Sequence, residues 1–328
     1  MKITITDLRK RYGDVVALDG PSFAIPSGST FGVLGTNGAG KTTLFELLVG
    51  HDEPDDGTIE VGDLDVQEAG HRVRERVAFL PEHAGFPDAM TGREVLAVHA
   101  RIRGLDDRER RIEEALETVG LADAADRAVE GYSNGMGRRL GLAATLLPEP
   151  PVLVLDEPTA GLDPRGVATF HEIIERIGRE TDATVVLSSH VLGEVERLCD
   201  EVAILQDGQL RAAGPVDELR ADAGDGVTVS IHPAAGAQDR LLEAVGEWAD
   251  ATVTVAANGT AGETEPVEVV CDRETAFDRL SALEGDLIER FEVREPGLEA
   301  AFHDAIAGEG NGAIADDEDR STAEVTAR

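Results

Sequence analysis

Apolar positions along the chain fall into two textures. Up to about residue 222, short runs without polar alternation recur at VAFL (77–80), VLVLD (152–156), TVVLSS (184–189) and EVAIL (201–205). Runs of this kind fit strands covered on both faces, as in a parallel sheet. Residues 2–7 and 31–34 also read as short strands. Residues 108–119, 136–147 and 164–180 repeat their apolar positions at helical spacing. The alternation predicts an α/β core around a parallel sheet. One junction stands out: FGVLG ends in a glycine-rich loop, and KTTLFELLVG then takes helical spacing.

The second texture begins past residue 222. VTVSI, ATVTVAA and VEVV read as strands, and AQDRLLEAVGEW and RETAFDRLSAL as helices. Together they predict a small α+β domain over 227–307, joined by ADAGDG (221–226) as a linker to a first domain over 1–220. From Gly308 the chain is small, polar and acidic, so 308–328 reads as a disordered tail. No internal repeat is found.

Charge narrows the classes of partner. The chain of 328 residues carries 65 acidic and 30 basic side chains, a formal charge of −35. Nucleic-acid binding needs a basic face, so nucleic acid is excluded as the main ligand. Such self-repulsion loosens a compact fold in dilute buffer and is screened at molar salt. A salt-rich cytoplasm is the expected setting. Thermal stability should then rise steeply as KCl goes from low to molar concentration, and a flat response would remove that expectation. Cys199 and Cys271 lack ligand spacing and read as buried small residues in a reducing compartment. The N-terminus has no signal-peptide core, and no run reaches the roughly 18 apolar residues of a membrane span. The expectation is a soluble chain whose membrane role, if any, comes through a partner.

Candidate chemistry begins at GTNGAGKTT (35–43), a GxxxxGK[ST] loop with a strand before it and a helix after it. Backbone N–H groups from Gly35, Thr36, Asn37, Gly38, Ala39 and Gly40 can cradle phosphate oxygens at the helix start, which Thr43 extends. Lys41 reaches the β- and γ-phosphates, and the Thr42 hydroxyl suits Mg2+. Lys41 is one of only three lysines, with Lys2 and Lys10, in a chain that otherwise uses arginine. A compact ammonium fits inside a closed backbone loop where a planar guanidinium does not. VLVLDEPT (152–159) ends a buried strand in two carboxylates. Asp156 can hold Mg2+ through water, and Glu157 can act as general base on the attacking water.

With these motifs the chain, over residues 1 to about 220, resembles the ATP-binding cassette ATPases. Walker A is 35–42 and Walker B is 152–157. AGLD (160–163) resembles the D-loop, LSSH (187–190) the switch histidine, FLPEHAG (79–85) the Q-loop, and YSNGM (132–136) the LSGGQ signature. The resemblance implies a P-loop cassette with a parallel-sheet core, an antiparallel β subdomain and a helical subdomain, followed here by the small α+β domain. It further implies that Tyr12 stacks on adenine and that His190 touches the γ-phosphate and the attacking water. Ser133 and Gly135 would hold the γ-phosphate of a nucleotide bound to a second copy. Asp163 could be a plain helix cap before Pro164, whereas the resemblance places it at the dimer interface, and both can hold at once. Glu82 stands where the family has glutamine and offers Mg2+ a ligand oxygen with added charge. Asn134 replaces a glycine, which asparagine's tolerance of left-handed backbone would permit. Met136 replaces glutamine.

The function this implies is ATP binding and hydrolysis, with Mg2+, by a peripheral subunit on the inner face of the cell membrane. It would act as a dimer, a homodimer by expectation, on a separate transmembrane permease. YSNGM followed by RRL, and EPGLEAAFHDAIAG (295–308), resemble drug-export and nitrous-oxide-reductase-maturation ATPases, which favours export. A non-transport cassette ATPase is the alternative. A GTPase reading lacks an NKxD motif.

Overall fold

The computed structural model describes residues 1–222 and, beyond them, 226–234, 236–246, 248, 252–255, 266–283, 285, 287–294, 298 and 302. The chain opens with β1 (Ile3–Tyr12), β2 (Val15–Asp19) and β3 (Phe23–Ile25). Next come β4 (Thr30–Leu34), α1 (Lys41–Leu48), β5 (Asp56–Val61), β6 (Leu64–Asp65), α2 (Val66–Arg76) and β7 (Val77–Leu80). A helical stretch follows with α3 (Gly92–Ile102), α4 (Arg108–Thr118) and α5 (Asn134–Leu146). The chain then alternates through β8 (Val152–Leu155), α6 (Pro164–Glu180), β9 (Thr184–Ser189), α7 (Leu192–Leu198) and β10 (Glu201–Gln206). It reaches residue 222 through β11 (Gln209–Pro215) and α8 (Val216–Asp222).

The continuous apolar runs form a six-stranded sheet in the order β11-β10-β4-β9-β8-β7, parallel except for the antiparallel edge pair β10–β11. Alternate residues of β8 enter different cores. Val152 and Val154 pack towards β1 and α1, whereas Leu153 and Leu155 pack towards α4, α5 and α6. Both faces are covered, which is why the run shows no polar alternation. A second sheet, β2-β1-β5-β6 with β3 also on β1, is antiparallel throughout. It closes the β1 and α1 side of the central sheet.

Local chemistry sets several boundaries. Thr91 and Glu94 form a reciprocal capping box at the start of α3, with Thr91 Oγ1 accepting from Glu94 N and Glu94 Oε2 accepting from Thr91 N. Pro164 sits at the start of α6, and Asp163 Oδ1 caps it by accepting from Gly166 N at 2.7 Å. Strand β1 extends to Tyr12, well past the expected residue 7, and α5 starts at Asn134 rather than 136.

Beyond residue 222 lie β12 (Gly226–Pro233), α9 (Gln238–Gly246), β13 (Thr252–Val255), β14 (Val267–Asp272), α10 (Arg273–Ala282) and β15 (Ile288–Arg294). Their sheet runs β13-β14-β12-β15 and is antiparallel. Val229, Ile231, Val269, Leu241, Val245 and Leu280 share its core with the buried Cys271. Leu298 is buried in the core of the first part, among residues of the helical side. Residues 308–328, expected as a tail, lie outside the described residues. Among the described residues no helix is long and apolar enough to cross a membrane.

Candidate active site

Strands β4, β8 and β9 are neighbours, or neighbours of neighbours, and all end on the same edge of the sheet. Ligands bind at such an edge in open α/β sheets. The loop from Gly35 to Gly40 leaves β4 and enters α1. Gly40 has φ +103°, and a Cβ there would lie 2.5 Å from the Ala17 carbonyl oxygen. Gly38 has φ +86° with open space beside it, so the backbone is left uncovered on that side. Thr42 and Thr43 follow Lys41 at the first turn of α1. One cleft is lined by Tyr12, Val16, Asn37 to Thr43, Glu82 and Glu157.

Lys41 is buried, and its Nζ donates to Gly35 O at 2.7 Å and Thr36 O at 3.2 Å. The same nitrogen lies 3.1 Å from Glu157 Oε1. That oxygen is buried and paired with the Lys41 charge, with no aligned hydrogen-bond donor. The other oxygen, Oε2, lies 2.9 Å from His190 Nδ1. One carboxylate therefore meets both residues expected to flank the γ-phosphate.

The backbone around that carboxylate is held hard. Glu157 has φ +41°, a left-handed conformation that costs an L-residue roughly 1–2 kcal/mol. Ser188 Oγ accepts from Glu157 N and donates to Asp156 Oδ1, both at 2.7 Å. Asp156 is 1 % exposed, and its N–H donates to Leu80 O. Next to this turn, Glu194 Oε2 accepts from Thr159 Oγ1 at 2.8 Å and from Ser189 Oγ at 2.9 Å. His171 stands 3.6 Å from the other Glu194 oxygen. Burial works to raise the Glu194 pKa, but the donors His171, Thr159 and Ser189 outweigh it and hold the group below its ordinary value.

Tyr12 stands at the cleft mouth, 45 % exposed. Its hydroxyl donates to Asp52 Oδ2 at 2.7 Å, and Lys10 Nζ contacts the other Asp52 oxygen at 2.8 Å. The Lys10 ammonium also lies 5.1 Å from the Tyr12 ring centroid. Hydrogen bonds from Lys10 and Tyr12 hold Asp52 at about 2, while partial burial and the bond to Asp52 push Tyr12 up to about 12. Asp52 was not anticipated from the sequence.

Ser133, Gly135 and Asp163 do not line this cleft. Ser133 is the N-cap of α5, and its Oγ accepts from Met136 N at 3.2 Å. The expected reason for Asn134 is corrected. Its φ is not positive; it is the first residue of α5, and its Nδ2 donates to the Gly161 carbonyl at 2.8 Å. The side chain is retained by a contact between the signature loop and the D-loop rather than by backbone tolerance.

Sequence reasoning also missed Arg138, Ser188 and Glu194. A signal existed for Arg138. Within the apolar repeat of α5 it falls three and four residues before Gly141 and Leu142, on the buried side.

Comparison with known proteins agrees with the motifs. The ABC transporter family model matches residues 18–160. The chain is similar to the daunorubicin resistance ATP-binding protein DrrA3 of Streptomyces coeruleorubidus, 42 % identical over 254 residues. That alignment covers 76 % of this chain and 80 % of the relative. It is also similar to the bacitracin transport ATP-binding protein BcrA of Enterococcus faecalis, 32 % identical over 94 % of this chain and 97 % of the relative. Among solved structures, cbiO1 of Clostridium perfringens, part of the ABC transporter complex cbiONQ, matches with a TM-score of 0.62 at 28 % identity. That match covers 67 % of this chain and 90 % of that one. The chain belongs to the ATP-binding cassette (ABC) transporter family.

Proposed function

We propose that this chain drives an exporter by hydrolysing ATP at a site that two copies complete together. The observation that carries the reading is the single carboxylate of Glu157, placed 3.1 Å from Lys41 and 2.9 Å from His190 on the cleft floor. Glu157 takes a proton from the attacking water, Lys41 stabilises charge on the transferring phosphoryl group, and His190 holds the carboxylate and the γ-phosphate in line. Tyr12 carries the adenine ring.

Mg2+ would be held by the Thr42 hydroxyl and Asp156, with Glu82 on the cleft wall, and would neutralise the β- and γ-phosphates. Among the described residues no three His, Cys, Asp or Glu side chains gather into a cage. A sparse protein donor set suits Mg2+, which takes most of its ligands from phosphate and water.

Ser133 and Gly135, outside the cleft and at the N-terminus of α5, meet the nucleotide of a second copy, where the helix dipole favours a γ-phosphate. Asp163 lies on the same interface. Hydrolysis removes that contact and lets the copies part. The motion acts on a separate membrane-spanning permease at the inner face of the cell membrane, contacted through the loop and helix from Glu82 to Arg103. Export is supported by relatives whose names carry daunorubicin resistance and bacitracin transport.

Glu157→Gln tests the site. The variant should bind ATP within about twofold of wild type, lose about 10²- to 10⁴-fold in turnover, and elute as a dimer with ATP. Wild-type turnover in that variant would remove Glu157 as the base. Purification from membranes, with a multi-span protein attached, tests the transport part.

A further inference from the structure

Helix α5 makes a second set of contacts, five residues past its cap. Arg138 is 8 % exposed, and its guanidinium reaches five backbone carbonyls. Nε donates to Pro158 O at 2.8 Å. Nη2 donates to Asp156 O at 2.6 Å and Glu157 O at 3.1 Å. Nη1 donates to Pro81 O at 2.5 Å and Glu82 O at 2.8 Å. These carbonyls belong to two loops, the exit of β8 and the exit of β7, and each loop carries a carboxylate of the site.

No ion pair accounts for the arginine, since all five acceptors are main-chain oxygens. Asp156, Glu82 and Glu157 contribute only through their fields. What the guanidinium supplies is geometry: a rigid planar fork with donors on three nitrogens. Its bonds also complete the clamp on the strained residue. Ser188 holds the Glu157 N–H, and Arg138 holds the Glu157 carbonyl. The peptide units on both sides of a left-handed Glu157 are therefore fixed, one from β9 and the other from α5.

We infer that Arg138 is a positioning residue for ATP hydrolysis: it fixes the Glu157 and Glu82 loops to the helix whose N-terminus meets the second nucleotide. The inference rests on the reading of Glu157 as the base. It follows that α5 cannot shift without moving both loops, because one side chain is bonded to all of them. A contact made at Ser133 and Gly135 is thereby relayed to the opposite side of the same chain, where the carboxylate stands.

Arg138→Lys is the informative substitution. It keeps the charge but replaces a planar fork with a compact ammonium, which cannot span the carbonyls of both loops at once. In the full-length chain, turnover at saturating ATP should fall about 10- to 100-fold, the scale of an ångström-sized misplacement. Binding of a fluorescent ATP analogue should stay within twofold, and the melting temperature within a few degrees. Hydrogen exchange, which needs no turnover, should show faster exchange at the amides of Asp156, Glu157 and Thr159 and of 82–84, with β8 unchanged. Arg138→Met, which removes every donor, should lose at least as much turnover; if it does not fold, the lysine variant still decides.

Turnover within twofold of wild type, or a loss of ATP affinity equal to the loss of turnover, would overturn the inference. Glu157→Gln run in parallel separates the two readings. A dead Glu157→Gln beside a normal Arg138→Lys sinks the positioning role alone. An active Glu157→Gln sinks the base assignment instead. The double variant should lose no more turnover than Glu157→Gln alone.

Discussion

Two corners of this molecule are built differently, and in the proposed function one holds the chain's own nucleotide while the other meets that of a second copy. At the P-loop corner the working groups are buried and bonded on several sides. Asp156 is 1 % exposed, Lys41 donates to two carbonyls, and Glu157 is flanked by Lys41, His190 and Ser188. At the signature corner Ser133 and Asn134 are exposed, and their bonds are a cap within α5 and one contact to Gly161. The first corner must hold its geometry through every cycle. In the proposed cycle the second meets a ligand carried by another chain and then releases it. Low bonding density is a requirement there, since a half-site that satisfied its own donors would have none to offer.

The comparison can be broken most severely at Ser188. Ser188→Ala leaves the Glu157 N–H and one Asp156 oxygen buried without their partner. We expect a loss of about 1–3 kcal/mol in stability and a fall of roughly 10- to 100-fold in turnover, read by urea unfolding and by kcat at saturating ATP. If neither moves, the corner is not held as described. Asn134→Ala tests the open corner and should do less. ATP affinity stays within about twofold and stability falls by well under 1 kcal/mol, because the group is exposed. ATP-driven dimer formation weakens a few-fold by size exclusion. Loss of nucleotide affinity in this variant would mean that the two corners are not separate within one chain.

The smallest effect is expected at the cleft mouth. Asp52→Ala frees the Tyr12 ring from its anchor but leaves the ring in place, so KM for ATP should rise by no more than about twofold with kcat unchanged, well under the roughly 1–3 kcal/mol of losing a stacked aromatic altogether. The pH dependence has a definite sign. Asp52 is depressed to about 2, so its contribution is fully present above the ordinary carboxylate value and is lost only as pH falls towards 2. Tyr12, raised to about 12, stays protonated over the same range. KM measured between about pH 5 and 9 should therefore not follow this pair, and a titration in that window would show that Asp52 is not held as found.

What the sequence disclosed was whatever chemistry fits in a short window. The loop 35–43, the carboxylates after β8 and the histidine after β9 are each announced within a few neighbouring residues. Arg138 was hidden because its acceptors lie 18 to 57 residues away, in loops that meet only once the sheet has formed. Ser188 lies within LSSH, yet its role depends on a backbone N–H 31 residues distant. Asn134 was read through an assumed backbone angle, a quantity that spacing does not contain. Helix α3 was passed over although TGRE (91–94) spells its capping box. The unbroken apolar run that identifies each central strand is itself a tertiary effect, visible only because both faces are covered.

The left-handed turn at Glu157 has one further consequence. Glycine at 157 would relax that backbone at once, and asparagine would ease it. Both would remove the carboxylate. Selection for durability alone, in nature or in a laboratory library, would therefore favour discarding the carboxylate at this position. Any programme to harden this protein has to select on turnover as well as on survival, because here the two pull in opposite directions.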